Sequence, residues 1–126
     1  MEISSRNGIA ATLWMKRDDG KYDGCVVKNG GELATLGPVL LRKYGTKAKA
    51  SELISKVCVA EVGDALDACV AEEPPAEFYS VCGESVMRMQ VKDFGHYCYV
   101  FDEDMWWLGD GSRRSLAELI RFIERN

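Results

Sequence analysis

The chain has 126 residues, 47% of them hydrophobic, with 16 basic and 20 acidic side chains and a formal net charge of −4. That length is one domain, residues 1–126, with enough apolar content for a single core without disulfide support. The acidic balance argues against generic nucleic-acid binding through a basic surface. No apolar run approaches the roughly 18 residues of a membrane span, and Met1–Arg6 lacks the apolar centre of a secretion signal, so the chain is expected in a cytoplasm.

Ile9 to Lys16 is rich in apolar and β-branched residues and predicts a strand. Asp19-Gly20 marks a hairpin turn, and Tyr22 to Lys28 returns as the second strand, ended by Asn29-Gly30-Gly31. A helix is expected over Thr35–Tyr44, with Gly37 and Pro38 tolerated in its first turn and Gly45 as its stop. Thr46 then caps a second helix, Lys47 to Val59, whose Ala50, Leu53, Ile54 and Val57 share one face. Glu72-Glu73-Pro74-Pro75 is a loop, because Pro-Pro stops both helix and ladder.

Phe78–Cys82 predicts a strand, and the alternation over Met87–Lys92 predicts another, half-buried one. Tyr97–Phe101 and Met105–Leu108 form a second hairpin; with no glycine in Asp102-Glu103-Asp104, a connection of three or more residues is expected. The chain closes on a helix, Arg113 to Arg125, with Ser115 to Glu118 as a capping box and Ser112 as a competing cap. Leu116, Leu119, Ile120 and Ile123 are its buried stripe. The fold class is therefore α+β: an antiparallel sheet built from N- and C-terminal β-hairpins, with short helices on one face and a C-terminal helix.

Several motifs stand in a shared order. They are Ser5-Arg6-Asn7-x-Ile9-Ala10, the Asp-Gly hairpin, Leu36-Gly37-Pro38-x-Leu40-Leu41-x-x-Tyr44, Thr46-x-x-Lys49-x-x-Glu52-Leu53-Ile54, and Tyr97-x-Tyr99-Val100-Phe101-x-x-x-x-Trp106. Over residues 4–66 and 97–108 this resembles a group of small uncharacterised accessory proteins carried by tailed bacteriophages and prophages. The chain departs from that group where an aspartate-glycine-tyrosine element would stand, since Asn29-Gly30-Gly31 occupies the place. The resemblance implies a non-enzymatic protein in the cytoplasm of a bacterial host. It further implies a partner that is a host protein or ribonucleoprotein defence complex, inhibited as anti-CRISPR proteins inhibit theirs. Nothing catalytic is carried over with it.

The side chains themselves offer three sites. Asp102, Glu103 and Asp104 place three carboxylates on a projecting turn, suited to basic groups of a partner; no calcium-type loop surrounds them, so no metal and no cofactor are expected. Trp106 and Trp107, adjacent on a strand, face opposite sides, and the exposed one is a candidate anchor. Arg113 and Arg114 stand where the helix dipole disfavours cations, and an alternative reading makes them, with nearby aromatics, the anion site of a small-ligand sponge for a nucleotide-like signal. A Cys/His enzyme is the weakest reading: His96 and Cys98 lie about 7 Å apart along one strand face, beyond hydrogen-bond reach. The five cysteines, Cys25, Cys58, Cys69, Cys82 and Cys98, have neither the even count nor the spacing of a disulfide or zinc framework and are expected as buried thiols. Monomer and dimer are both compatible with the sequence.

Overall fold

The computed structural model describes residues 9–109 and 114–125; Ser5–Asn7, Ser112 and Arg113 lie outside them. The described residues form an α+β fold of four α-helices and a six-stranded sheet, ending on a C-terminal helix. The elements are β1 (Ala11–Lys16), β2 (Tyr22–Val27), α1 (Leu33–Lys43), α2 (Lys47–Ile54), β3 (Cys58–Val59), β4 (Val81–Cys82), α3 (Glu84–Phe94), β5 (Tyr97–Asp102), β6 (Met105–Leu108) and α4 (Leu116–Arg125). None of the helices is long and apolar enough to cross a membrane.

Both hairpins form, β1 with β2 and β5 with β6. They join through β1 and β5, which pair in parallel from Ala11–Tyr97 to Met15–Phe101, so the sheet is mixed rather than purely antiparallel. The order is β3-β2-β1-β5-β6, and β3 and β4 share the outer edge of β2, one at each end. The parallel pair has a consequence for function: both hairpin turns lie at the same end of the sheet.

Alternate strand residues go to opposite faces. Ala11, Leu13, Met15, Cys25, Val27, Tyr99, Phe101 and Trp106 meet α1, α2 and α4 in the main core. Trp14, Tyr22 and Cys98 face the other way and pack with Met87 of α3. The helices thus cover both faces, three on one and α3 on the other, where the sequence suggested one face only.

The difference arises at residues 84–94. Met87–Lys92 is part of α3, not a strand. Six residues of alternation fit either period; the buried members, Met87 and Gln90, are three apart, and Met89 between them is 62% exposed. Gln90 then does the pairing that a strand would have done. Its Oε1 accepts from the Tyr79 N–H at 2.6 Å and its Nε2 donates to the Tyr79 carbonyl at 3.0 Å. Of the expected strand Phe78–Cys82, only Val81 and Cys82 are strand, with the Ser80 carbonyl accepting from the Gly24 N–H at 2.8 Å beside them.

The other helices differ at their ends. α1 starts at Leu33, so Pro38 lies inside it, two residues deeper than expected. Gly37 stays because α4 crosses there: a Cβ would stand 2.8 Å from Ile120 Cδ1. α2, capped by Thr46 at the Lys49 N–H (3.2 Å), stops at Ile54 rather than Val59. Val57 turns the chain with a positive φ of 68°, and Cys58–Val59 is recruited as a strand by the edge of β2. α4 begins at Leu116 with Ser115 as the cap: its Oγ accepts from the Glu118 N–H at 3.2 Å and donates to Glu118 Oε1 at 3.1 Å. Leu116 and Ile120 are buried, whereas Ile123, expected in the stripe, is 40% exposed.

Candidate functional site

The second hairpin turns in two residues, not three or more. Asp102 pairs with Met105, and Glu103 and Asp104 between them both have positive φ, 54° and 61°. This is the primed geometry that matches the twist of a hairpin, reached without glycine. Left-handed backbone costs a side-chain-bearing residue roughly 1 kcal/mol, so the turn carries two carboxylates at a local cost. Glu103 and Asp104 are exposed and Asp102 is half-buried.

The adjacent tryptophans divide as the pleat requires. Trp106 is 1% exposed, packs edge-on against Phe101 at 5.3 Å between centroids, and donates its indole N–H to the Tyr44 carbonyl at 2.8 Å. It belongs to the core, so its expected place in a contact surface is corrected. Trp107 lies on the opposite face, half-buried, opposite Val100 in register. Its N–H donates to the Asp102 carbonyl at 2.9 Å, which fixes the ring against the hairpin that carries the acidic turn.

α3 leaves part of that face uncovered, and a hollow of about 230 Å³ opens between it and the hairpin. Tyr22, Met87, Val100 and Trp107 give it an apolar lining, and Lys16, Glu84, Arg88 and Asp102 its charge. Arg88 is bound to Glu84 Oε2 by both Nε (3.0 Å) and Nη2 (2.9 Å). Lys16 sits opposite Tyr22 in the first hairpin, and one residue beyond the Met15–Phe101 pair it comes to the side of Asp102. Burial, and next Glu84, push the Tyr22 phenol above its ordinary value.

The hollow therefore joins two residues singled out by the sequence, Asp102 and Trp107, to others that it did not suggest. Lys16 and Tyr22 flank the Asp-Gly turn, and the β1–β5 pairing alone brings them near the second hairpin. Met87 and Arg88 were hidden because Met87–Lys92 reads as a strand, and Glu84 because nothing marks it as the start of a helix. Arg114 is exposed, lies outside this hollow, and its carbonyl accepts from the Leu108 N–H at 2.9 Å.

A second hollow, about 440 Å³, lies at the opposite end of β1, lined by Lys28, Lys92, His96, Phe94 and Pro75 among others. Lys28 is engaged there with Glu72 at 3.0 Å. Among the described residues no cluster of three or more His, Cys, Asp or Glu is arranged to hold a metal ion. His96 is exposed and Cys98 buried beneath Gly109. All five cysteines are buried free thiols. Burial pushes Cys25, Cys58 and Cys82 above the ordinary thiol value, the opposite of an activated nucleophile. Comparison with protein-family models, curated proteins and solved structures finds no match to this chain.

Proposed function

We propose that this chain is a non-enzymatic interaction protein of phage accessory type, which binds a bacterial host defence complex and inhibits it in the manner of an anti-CRISPR protein. One observation supports the reading above others. At a single end of the sheet, a strained acidic turn, a half-buried tryptophan and a hollow with an aromatic wall converge on rigid strands. Interfaces use such a combination, an aromatic anchor beside a charged rim. The raised thiols support a binding role over a Cys/His enzyme. The contact set is Asp102, Glu103, Asp104 and Trp107; Trp106 drops out as a core residue, and the site of action is the host cytoplasm.

Affinity capture from a phage-sensitive bacterial host, read by mass spectrometry, tests it. The wild type retains a defence complex, and the triple variant Asp102→Ala, Glu103→Ala, Asp104→Ala loses most of it. Unchanged capture by the triple variant removes the turn from the mechanism.

The anionic-ligand alternative has one observation in its favour. The hollow at Lys28, Lys92 and His96 has a volume in the roughly 300–1,000 Å³ range of small-molecule sites. Its site would then be there and not at Arg114. Nucleotides raising the melting temperature, with the rise cancelled by Lys92→Glu, would favour it; a flat panel counts against it.

A further inference from the structure

We propose that the hollow between α3 and the second hairpin receives an arginine side chain of the protein partner, its guanidinium held between Trp107, Tyr22 and the Asp102 carboxylate. The inference rests on the protein-binding reading and gives it a chemistry.

Size comes first. At about 230 Å³ the hollow falls below the roughly 300 Å³ at which small-molecule sites begin and suits one large side chain. Charge comes second. Two cations line it, but Arg88 donates through both Nε and Nη2 to one oxygen of Glu84. The lining is therefore balanced, Lys16 and Arg88 against Glu84 and Asp102, and the exposed carboxylates of Glu103 and Asp104 just beyond it tip the local charge to negative. Chemistry comes third. The walls are an indole and a phenol ring, whose faces attract cations, and a flat guanidinium can stack on one and fork onto a carboxylate, as an ammonium cannot. Lys16 is the opposing element, a like charge across the hollow. It gives the proposal its sharpest test, because an anionic occupant would need Lys16 and a cationic one is hindered by it.

The probe is acetyl-Gly-Arg-Gly-amide, with the citrulline tripeptide as the uncharged isostere. Binding is followed on the Trp107 indole N–H resonance, assigned by its disappearance in Trp107→Phe. The arginine peptide shifts that resonance saturably, with a dissociation constant on the order of 1 mM, as a single side chain gives. Asp102→Asn weakens it about tenfold, the loss of one charge-assisted contact, and Lys16→Gln tightens it severalfold. A shift that never saturates, an equal response to citrulline, or binding abolished by Lys16→Gln would each overturn the proposal. The two readings fail separately. Saturable peptide binding without capture of any host complex leaves the hollow standing and removes the host partner. Capture that survives Asp102→Asn, with no peptide binding, does the reverse.

Discussion

On one face of the sheet Trp106 is buried with its indole N–H bonded to the Tyr44 carbonyl; on the other, Trp14 is wholly buried and its indole N–H has no partner among the described residues. The asymmetry continues around each ring. Tyr44 also donates its hydroxyl to the Gly63 carbonyl at 2.8 Å, so Trp106, α1 and the 61–69 loop are tied at one point. Around Trp14, Gly24 is required because the indole occupies the space of its Cβ, and Thr12 Oγ1 on the same face is a second buried polar atom without a partner among the described residues. Three helices cover the first face and one the second, and the candidate hollow opens on the second. Glu32 Oε1, at the start of α1 on the first face, is a third such atom, so unpartnered polar atoms are not confined to one face; the contrast lies in the two tryptophans, one anchored by its N–H and one not.

The largest expected effect breaks the first face. Trp106→Ala removes a buried indole and its hydrogen bond and costs about 3–5 kcal/mol, a large share of the roughly 5–15 kcal/mol of a domain. The more telling pair is Trp106→Phe and Trp14→Phe, compared by urea unfolding. Both lose ring volume, but the first alone leaves a buried carbonyl without its donor, so it is expected to cost about 1–3 kcal/mol more. Equal losses would mean that the two faces do not differ in this way.

Alkaline pH is the next lever; Tyr22 and Cys82 on the second face are raised too, but larger shifts, at Cys25 and Tyr99, belong to the first face. Burial raises the Cys25 thiol above its ordinary 9.0 and the Tyr99 phenol, whose hydroxyl donates to the Gly31 carbonyl at 2.7 Å, above its ordinary 10.0. The unfolded chain releases these protons near the ordinary values and the folded chain retains them. The stabilisation is complete below pH 9.0 and is lost as pH rises beyond it. Each group lowers stability by about 1.4 kcal/mol per pH unit once its unfolded form is ionised. Urea midpoints on either side of pH 9.0 measure this, and Cys25→Val should remove the thiol's part while Trp14→Phe leaves the slope unchanged.

Much of this was legible from local chemistry. The Asp19-Gly20 turn, the Thr46 cap, the Ser115–Glu118 box and both hairpins are dictated within a few residues of each other, and the structure has them. What was not legible depends on pairs distant in the chain. The parallel β1–β5 contact spans 86 residues between Ala11 and Tyr97, and no local signal carries it. The Met87–Lys92 segment was lost to a coincidence of periods, since a short helix with two methionines on different faces alternates like a strand. Half of the candidate site follows from that contact and that helix. Asp102 and Trp107 were visible as residue types, but their meeting with Lys16, Tyr22 and Glu84 was not.

The acidic turn offers the smallest effect and the finest test of the contrast between the faces. Glu103 and Asp104 hold left-handed backbone that Asn-Gly would adopt with less strain. Replacing the pair with Glu103→Asn and Asp104→Gly removes two charges and keeps the hairpin, so it should raise stability by about 1 kcal/mol and the melting temperature by about 3–5 °C. If the turn keeps its carboxylates for binding, the same variant captures less host complex although it is more stable. A rise in stability with capture unchanged would make the strain incidental and leave Trp107 and the hollow to account for binding alone. A fall in stability would mean that the carboxylates themselves support the turn, and the reading of strain retained for function would fail at its origin.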